Sequence, residues 1–400
     1  MYFLVFADNY HPTPKANSIC LKHILDILRE NGHKVRIINR VEGSISNSEE
    51  FVFSFSCPHT LRWRQCDTLL KKIRYVIHRI IEIQQWPKRD NLLVEKFKEV
   101  AFSIAGLEDV DAILTICNPC ESVEAGFWLK TKFPTKKLII YNIDTVSDCS
   151  VSNFDRKYCF SLNKKAFNWE KKMFSQADLI IQFKSHQQHF MHERYKEYHS
   201  RMLFQDVPLL DLNKYCGCFN NQKGLIKLLY AGQFYRSLRE PRILYELFGG
   251  LNIEYNYCVD IYTSLEYVKY IKETNVKEIR AYGYIEENEL QNVIRSSQFM
   301  LSLGNKDSNM FPSKIVSYVS SGKPIIHVFQ DDKDPVVEYL QYYPDRLLID
   351  SRCDLESNRK RIIKYLSSVH KPIDKETLLN NYVESTPAFN ANQILMFLSN

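Results

Sequence analysis

The chain has 400 residues, which is too long for one ordinary hydrophobic core and suits two domains. Its hydrophobic content of 45% and charged content of 25% are those of a globular protein. The formal net charge of +6 fits a phosphorylated ligand or an anionic membrane surface, and it is far from the charge typical of nucleic-acid-binding proteins.

The first half of the chain alternates strand-like and helix-like patterns. An apolar run at 2–7 predicts a buried strand, the apolar stripe of 17–31 predicts a helix that Gly32 ends, and 34–39 predicts a second strand. Strand, helix and strand joined by short turns predict a parallel βαβ unit. The same patterns predict strands at 112–116, 137–141 and 177–181 and a helix at 122–131.

Residues 41–100 interrupt this alternation. The segment 69–98 is rich in Lys, Arg and Ile and contains Trp86, which predicts a basic amphipathic segment. It either lies on an anionic lipid surface or packs as an ordinary helix with a solvated basic face, and the sequence leaves both open. No stretch approaches the roughly 18 uninterrupted apolar residues of a membrane span, and the start of the chain lacks a basic leader, so we expect a soluble or peripheral protein.

The alternation begins again near Leu225. Strands are predicted at 226–232, 255–261, 279–283, 299–303 and 324–329, with helices at 289–296 and 314–321. We therefore expect an α/β fold with two doubly wound, Rossmann-like domains that face each other across a cleft at the carboxyl ends of their strands. The expected domains are 1–213 and 224–380, joined by a linker at 214–223 and followed by a C-terminal helical segment at 381–400.

Cysteine and histidine patterns give no metal site. The 11 cysteines are an odd number without framework spacing, which predicts the reduced thiols of a cytosolic protein. Cys117 and Cys120 form a CxxC pair, but no second pair stands at zinc-finger spacing, so ordinary buried or loop thiols are favoured. His186, His189 and His192 recur every three residues and are interpreted as a solvated helix face.

The stretch 310–326 combines a loop, a short helix, a glycine and a buried strand. Ser313 and Lys314 fall at the predicted first turn of the helix, where unpaired backbone N–H groups attract anions and the lysine adds a full positive charge. Gly322 suits the left-handed conformation that ends a helix. Lys323, at the other end of the helix, is expected to face away from any bound phosphate. The stretch predicts a site for a phosphate-bearing ligand.

This stretch resembles the nucleotide-sugar loop of GT-B glycosyltransferases, specifically the family-4-like enzymes of surface polysaccharide assembly that carry a Pro-Ser-Lys variant. The resemblance implies a cytoplasmic enzyme, without metal or other cofactor, that moves a hexose-type sugar from a nucleoside-diphosphate sugar to a glycan or lipid-linked acceptor. It implies that Lys314 contacts the donor diphosphate and that Met310 and Ser313 bind the donor. It also implies that the last helix, 391–399, crosses back to the first domain.

Residues 229–241 resemble a second landmark of these enzymes, where a strand ends in glycine and cationic side chains reach the donor diphosphate. Here they supply Gln233, Arg236 and Arg239. Negative charge builds on the leaving diphosphate, and fixed cations in a dry cleft stabilise that charge most at the transition state. For either arginine alone, a surface salt bridge is the alternative.

Two loops complete the resemblance. The loop at 10–18 corresponds to the one that closes over the donor phosphates; a glycine pair is common there, and Lys15 supplies charge in its place. Residues 281–286 correspond to the place where the base is held. Backbone atoms of Tyr284 pair with a uracil-like edge, or its ring belongs to the core.

Departures from the family pattern affect the donor ribose contact. Family members often carry two glutamates eight positions apart, and this chain has Asn309 and Ser317 at the corresponding positions. Both side chains can form hydrogen bonds, but neither is charged. In the first half, Asp144 follows a predicted buried strand, where it orients or deprotonates an acceptor hydroxyl or is a turn residue.

Two rivals to a glycosyltransferase stay open. The replaced glutamates suggest a catalytically silent GT-B subunit that binds or positions an active partner, whereas the clustered cations favour an enzyme. A sugar-nucleotide epimerase of the same two-domain build is less favoured, because no clear carboxylate and histidine set for moving protons is found in the sequence.

Overall fold

The computed structural model describes residues 1–11, 16–41, 51–57, 67–88, 90–117, 119–147, 156–215, 224–235, 238–254, 256–306 and 311–399. The chain divides into two compact units, Met1–Pro208 with Pro387–Asn400 and Leu209–Thr386. Each unit is a parallel sheet flanked by helices.

The first unit contains a seven-stranded parallel sheet in the order β3-β2-β1-β4-β5-β6-β7. Its strands are β1 (Tyr2–Asp8), β2 (Lys34–Val41), β3 (Val52–Ser56), β4 (Ala112–Cys117), β5 (Lys137–Asn142), β6 (Leu179–Phe183) and β7 (Met202–Gln205). Its helices include α1 (Ala16–Glu30), α2 (Leu69–Gln85), α3 (Asn91–Ser103), α4 (Cys120–Lys132), α5 (Arg156–Phe174) and α6 (Gln187–Phe190). The central strands are almost continuously apolar because helices cover both faces of a parallel sheet.

The second unit contains a six-stranded parallel sheet in the order β10-β9-β8-β11-β12-β13. Its strands are β8 (Leu225–Ala231), β9 (Asn256–Tyr262), β10 (Ile279–Tyr282), β11 (Phe299–Leu303), β12 (Ile325–Phe329) and β13 (Arg346–Asp350). Its helices are α7 (Leu212–Tyr215), α8 (Arg242–Phe248), α9 (Leu265–Lys272), α10 (Glu287–Ser296), α11 (Lys314–Ser320), α12 (Pro335–Tyr339), α13 (Leu355–Leu366) and α14 (Lys375–Tyr382). The order reverses between β8 and β11, as in doubly wound nucleotide-binding sheets.

The last helix, α15 (Pro387–Ser399), belongs to the first unit and packs on α1. Asn390, Ala391 and Ile394 are its buried residues. The carbonyl oxygen of Asn390 accepts a hydrogen bond of 3.0 Å from the side-chain amide of Gln205, the last residue of β7.

The predicted fold class, two doubly wound parallel sheets, is confirmed. Gly322 has a φ of +67° and ends α11 as predicted, and a Cβ there would lie 2.7 Å from the carbonyl oxygen of Ile373. The segment 69–98 is two helices, α2 and α3, because the chain turns at Trp86 and Pro87.

The expectation about the histidines is wrong. His186 and His189 do not lie on a solvated face, because His186 is buried and the ring of His189 packs edge-on against Phe190 at 4.7 Å. Lys323 follows Gly322, just past the end of α11. It is buried, and its Nζ donates to the carbonyl oxygens of Ile294 and Arg295 in the last turn of α10 and of Ser297 just after it.

Within the described residues, no helix is long and apolar enough to cross a membrane. The same part of the chain holds no cluster of three or more His, Cys, Asp or Glu side chains arranged to bind a metal ion. Cys117 ends β4 and Cys120 begins α4, and neither forms a disulfide in this part of the chain.

Candidate functional site

The carboxyl ends of β8 and β11 form the topological switch point of the second sheet. In open parallel sheets of this order, ligands bind outside the carboxyl ends of the strands at that point. The loop after β8 and the loop after β11 meet there, since the amide of Lys306 donates to the carbonyl oxygen of Leu238 at 3.0 Å. The side-chain amide of Gln330 also joins them, because it donates to the carbonyl oxygens of Gly304 at 2.8 Å and of Leu238 at 3.4 Å.

Arg239 lies at this switch point. Paired backbone hydrogen bonds between Tyr235 and Arg239, of 3.0 and 2.9 Å, fold the loop back on itself. The Arg239 residue is only 9% exposed, and its Nη1 donates to the carbonyl oxygen of Leu303 at 3.4 Å. Its guanidinium also stands over the ring of Tyr235, 5.7 Å from the ring centroid. A buried cation therefore lies at the end of β11.

No carboxylate among the described residues forms an ion pair with Arg239, and its Nε has no hydrogen-bond partner in that part of the chain. Burying a charge without a counter-charge is unfavourable. The site can regain this free energy by binding an anion. A buried cation in these surroundings is suited to binding an anion.

Buried tyrosines support the end of β8 beneath this loop. The hydroxyl of Tyr318, on α11, accepts a hydrogen bond of 2.7 Å from the amide of Ala231. Tyr230 stacks on Phe234, with ring centroids 4.8 Å apart. Burial raises the pKa of the Tyr230 hydroxyl to about 12, although the charge of Arg239 opposes this shift. Both tyrosines are neutral at physiological pH, so neither compensates the charge of Arg239.

The loop after β11 is held in place by side chains from the loop after β12. Gly304 has no room for a Cβ because the carboxylate of Asp334 lies against it. That carboxylate accepts a hydrogen bond of 2.9 Å from the amide of Val336 and contacts the Nε2 of His327 at 3.2 Å, with both side chains buried. The fixed loop gives the end of β11 a defined position next to Arg239.

Lys314 begins α11, as the sequence predicts, but its charge is partly compensated. Its Nζ lies 3.5 Å from one carboxylate oxygen of Glu287, and the Nζ of Lys214 lies 2.9 Å from the other. Ser313 has helical backbone angles and makes no capping hydrogen bond through its side chain, while Ser317 is buried within α11. The sequence reasoning missed Glu287, although an acidic residue in the first turn of α10 was a visible signal.

The other predicted donor-binding residues have different surroundings. Tyr284 follows β10 and its side chain is 74% exposed, so its ring is not part of the core. Gln233 is partly buried in the loop after β8, and its carbonyl oxygen accepts a hydrogen bond of 3.4 Å from the Tyr230 hydroxyl. The remaining predictions, Lys15, Arg236, Asn309 and Met310, lie outside the described residues.

Asp144 follows β5 in the first unit and is exposed. Its charge acts on the buried thiol of Cys20 in α1, whose pKa is raised to about 12 by burial and, secondarily, by Asp144. Asp144 follows a buried strand, as the sequence predicts.

A buried carboxylate fixes the loop that carries Asp144. Glu170 accepts hydrogen bonds from the amides of Val146 and Ser147, at 3.2 and 3.1 Å, and from the hydroxyl of Tyr195 at 2.6 Å. Burial raises the pKa of Glu170, and these hydrogen bonds oppose that shift. The hydroxyl of Ser147 further contacts His189 at 3.0 Å. Burial lowers the pKa of His189 to about 3, so the imidazole is neutral there.

No family model matches this chain, and no curated protein matches it. Solved structures do match it. They include a lipopolysaccharide outer core galactosyltransferase, WaaB, in its apo form (10% identity, all of both chains, TM-score 0.57). They also include an alpha-glucosyltransferase in complex with UDP and a mismatched 13-mer DNA (11% identity, all of both chains, TM-score 0.57).

A third matching structure is the UDP-GlcNAc 2-epimerase from Methanocaldococcus jannaschii (11% identity, 99% of this chain and 100% of that chain, TM-score 0.54). At such identities the likeness shows the fold alone. The chain therefore has the GT-B fold, with two Rossmann-like units, and that fold is shared by transferases and epimerases.

Proposed function

We propose that this protein is a glycosyltransferase of the hexosyltransferase type. It moves a sugar from a nucleoside-diphosphate sugar to a glycan or lipid-linked acceptor in surface polysaccharide biosynthesis, in the cytoplasm. Support comes from the GT-B fold, from the resemblance of residues 310–326 to a family-4-like donor loop, and from the matching structures that are named as glycosyltransferases or contain UDP.

The single observation that carries the proposal is the buried guanidinium of Arg239 at the switch point of the second sheet, which has no carboxylate partner among the described residues. A nucleoside diphosphate supplies the missing negative charge. As the bond from the sugar to the diphosphate breaks, that charge increases, and a cation held in a low-dielectric site stabilises it more strongly than water would.

Side chains are proposed to neutralise the leaving group without a metal ion or another cofactor. Arg239 and Lys314 contact the diphosphate, and Arg236 adds a third cation. The remaining donor contacts are proposed to come from Gln233, Tyr284, Ser313 and Ser317, which the structure describes. Lys15, Asn309 and Met310, which lie outside the described residues, are proposed as further donor contacts. Asp144, on the loop that Glu170 fixes, is proposed to orient or deprotonate the acceptor hydroxyl.

A catalytically silent GT-B subunit is the second candidate. The pairing of Lys314 with Glu287 favours it, because one of the proposed donor cations is already engaged. The two candidates differ in turnover. An enzyme releases nucleoside diphosphate from at least one sugar nucleotide in a donor screen, and a silent subunit releases none.

Binding of nucleoside diphosphates to the Arg239→Met variant tests the proposal. We expect roughly ten- to a hundred-fold weaker binding by calorimetry, since a charge-assisted contact is lost, and no loss of thermal stability. Arg242→Met is the matched control, because Arg242 lies three positions further on and forms an ion pair of 2.7 Å with Glu246 at the surface. Equal affinities for the wild type and the Arg239→Met variant would refute the assignment.

A further inference from the structure

Helix α2 presents its apolar side to solvent. The side chains of this face are between 48% and 79% exposed, and they include Leu69, Leu70, Ile73, Val76, Ile77 and Ile80. The next helix behaves in the ordinary way, since Leu93 and Phe97 of α3 are buried. A run of exposed apolar side chains along one helix face marks a surface that binds another apolar phase.

The opposite, polar side of α2 faces the rest of the first unit. Glu82 is buried and accepts a hydrogen bond of 2.7 Å from the Nη1 of Arg79. Lys165 of α5 donates to the carbonyl oxygen of Ile83 at 3.2 Å. This orientation is the reverse of an ordinary surface helix, whose apolar stripe faces the core. The apolar face is therefore exposed because α2 packs on the first unit through its polar side.

The charged residues of α2 indicate which kind of apolar surface its exposed face binds. Between Leu69 and Gln85 the helix has four Lys or Arg residues and one acidic residue, Glu82. At 100° per residue, Lys72 and Arg74 fall on the two borders of the apolar face. Apolar side chains bordered by cations match the acyl boundary and the phosphate layer of an anionic bilayer. A protein partner would have to supply an apolar groove with acidic rims.

We propose that α2 lies in the headgroup layer of an anionic membrane, parallel to its surface, with the apolar face toward the acyl chains and Lys72 and Arg74 at the lipid phosphates. The proposal goes beyond the sugar-transfer reaction and does not depend on the donor chemistry. It would also bring the protein to the surface where a lipid-linked acceptor is embedded.

Vesicle flotation of the full chain, without any sugar nucleotide, tests this. The wild type should float with vesicles of phosphatidylcholine mixed with phosphatidylglycerol, and much less with phosphatidylcholine alone. Leu70→Gln/Ile77→Gln should reduce partitioning roughly ten-fold or more because two apolar side chains no longer enter the bilayer. Lys72→Gln/Arg74→Gln should reduce it about five-fold per charge, and only for the anionic vesicles.

Controls use matched residues of the second unit. Leu265 and Val369 are 77% and 91% exposed, and Leu265→Gln/Val369→Gln should float like the wild type. Lys269→Gln/Lys272→Gln is the corresponding charge control, since both lysines are exposed. Unfolding midpoints should not fall in the α2 variants, because the replaced side chains are exposed.

Three results would overturn the proposal. The first is equal flotation with neutral and anionic vesicles. The second is flotation that the Leu70→Gln/Ile77→Gln change leaves intact. The third is no flotation of the wild type; concentration-dependent self-association that the same change abolishes would then assign the face to a second copy of the chain.

Discussion

Arg239 and Lys314 differ in how far their charges are already compensated. Arg239 is buried and has no carboxylate partner among the described residues, whereas Lys314 is partly exposed and shares Glu287 with Lys214. An ion pair as exposed as that of Lys314 contributes little to folding. The donor binding proposed for Lys314 would therefore compete with Glu287, and this competition is testable.

Replacing Lys314 with alanine should weaken binding of the nucleoside diphosphate by roughly ten- to a hundred-fold, since a charge-assisted contact is lost. The unfolding midpoint should change little. Glu287→Gln should have the opposite effect on affinity, because it releases Lys314 from its ion pair. Calorimetric titration of both variants measures these changes.

Lys214→Ala is the control for this pair of variants. It removes the other partner of Glu287 without removing the proposed donor contact. If Lys314→Ala and Lys214→Ala shift the affinity equally, or if Glu287→Gln weakens binding, Lys314 does not contact the diphosphate.

At the scale of elements, the end of α10 depends on a lysine from another element. The last carbonyl groups of a helix have no partner within the helix. In α10, the buried Nζ of Lys323 is the partner of two such groups. It donates hydrogen bonds to the carbonyl oxygens of Ile294 at 2.7 Å and of Arg295 at 2.8 Å. Its position after Gly322 brings it there, so its function is structural.

Lys323→Met should lower the free energy of unfolding by roughly 2–3 kcal/mol, because buried carbonyl groups lose their donor. Urea denaturation measures this loss. Lys272→Met changes an exposed lysine of α9 and is the control. Its free energy of unfolding should stay within about 0.5 kcal/mol of the wild-type value. The folded Lys323→Met protein should bind nucleotide normally; a selective loss of nucleotide affinity at unchanged stability would contradict the structural role.

Strands that are apolar throughout could be predicted from the sequence. Partly buried edge strands, and the burial of a polar side chain by another element, could not. Strands such as β11 were placed correctly, because a strand covered on both faces is a continuous apolar run. The strands β3, β7 and β13 were missed: each lies at an edge of its sheet and is only partly buried. The burial of Lys323 could not be predicted, because it depends on carbonyl groups of α10.

The candidate site was predicted in the same uneven way. The glycine after β8 and the cations that follow it made Arg239 a candidate from the sequence alone. Gly322 correctly predicted where α11 ends. The absence of a counter-charge at Arg239 within the part of the chain that the structure describes, and the pairing of Lys314 with Glu287, are tertiary features. Nothing in the local pattern of either residue specifies them.

At the scale of the whole molecule, His370 links stability to pH. Burial lowers the pKa of its imidazole, but hydrogen bonds to Asp345 at 2.8 Å and to the carbonyl oxygen of Tyr365 at 2.7 Å, with the charge of Asp345, outweigh burial and raise it. A raised pKa means that the stabilisation is complete below the unfolded value of about 6.5 and is lost as the pH rises through the folded value.

The His370→Gln variant should therefore be less stable than the wild type at about pH 6, and the difference should shrink as the pH rises past the usual histidine range. Urea denaturation of both proteins across this range gives the two curves. A difference that is constant, or that grows toward high pH, would show that protonated His370 does not stabilise the fold.

The C-terminal helix makes the first unit depend on the last residues of the chain. Ile394 is fully buried in α15, which packs on α1, and truncating such a side chain to alanine typically costs about 2–5 kcal/mol. Ile394→Ala should therefore speed amide hydrogen exchange in α1 and α15, while exchange in β12 and α13 of the second unit stays unchanged. Met396→Ala is the matched control, because Met396 lies on the same helix and is 62% exposed. Exchange measured by mass spectrometry separates the two units peptide by peptide. Faster exchange in β12 and α13 would show that the effect of α15 is not confined to the first unit. Unchanged exchange in α1 would show that α15 does not stabilise the first unit.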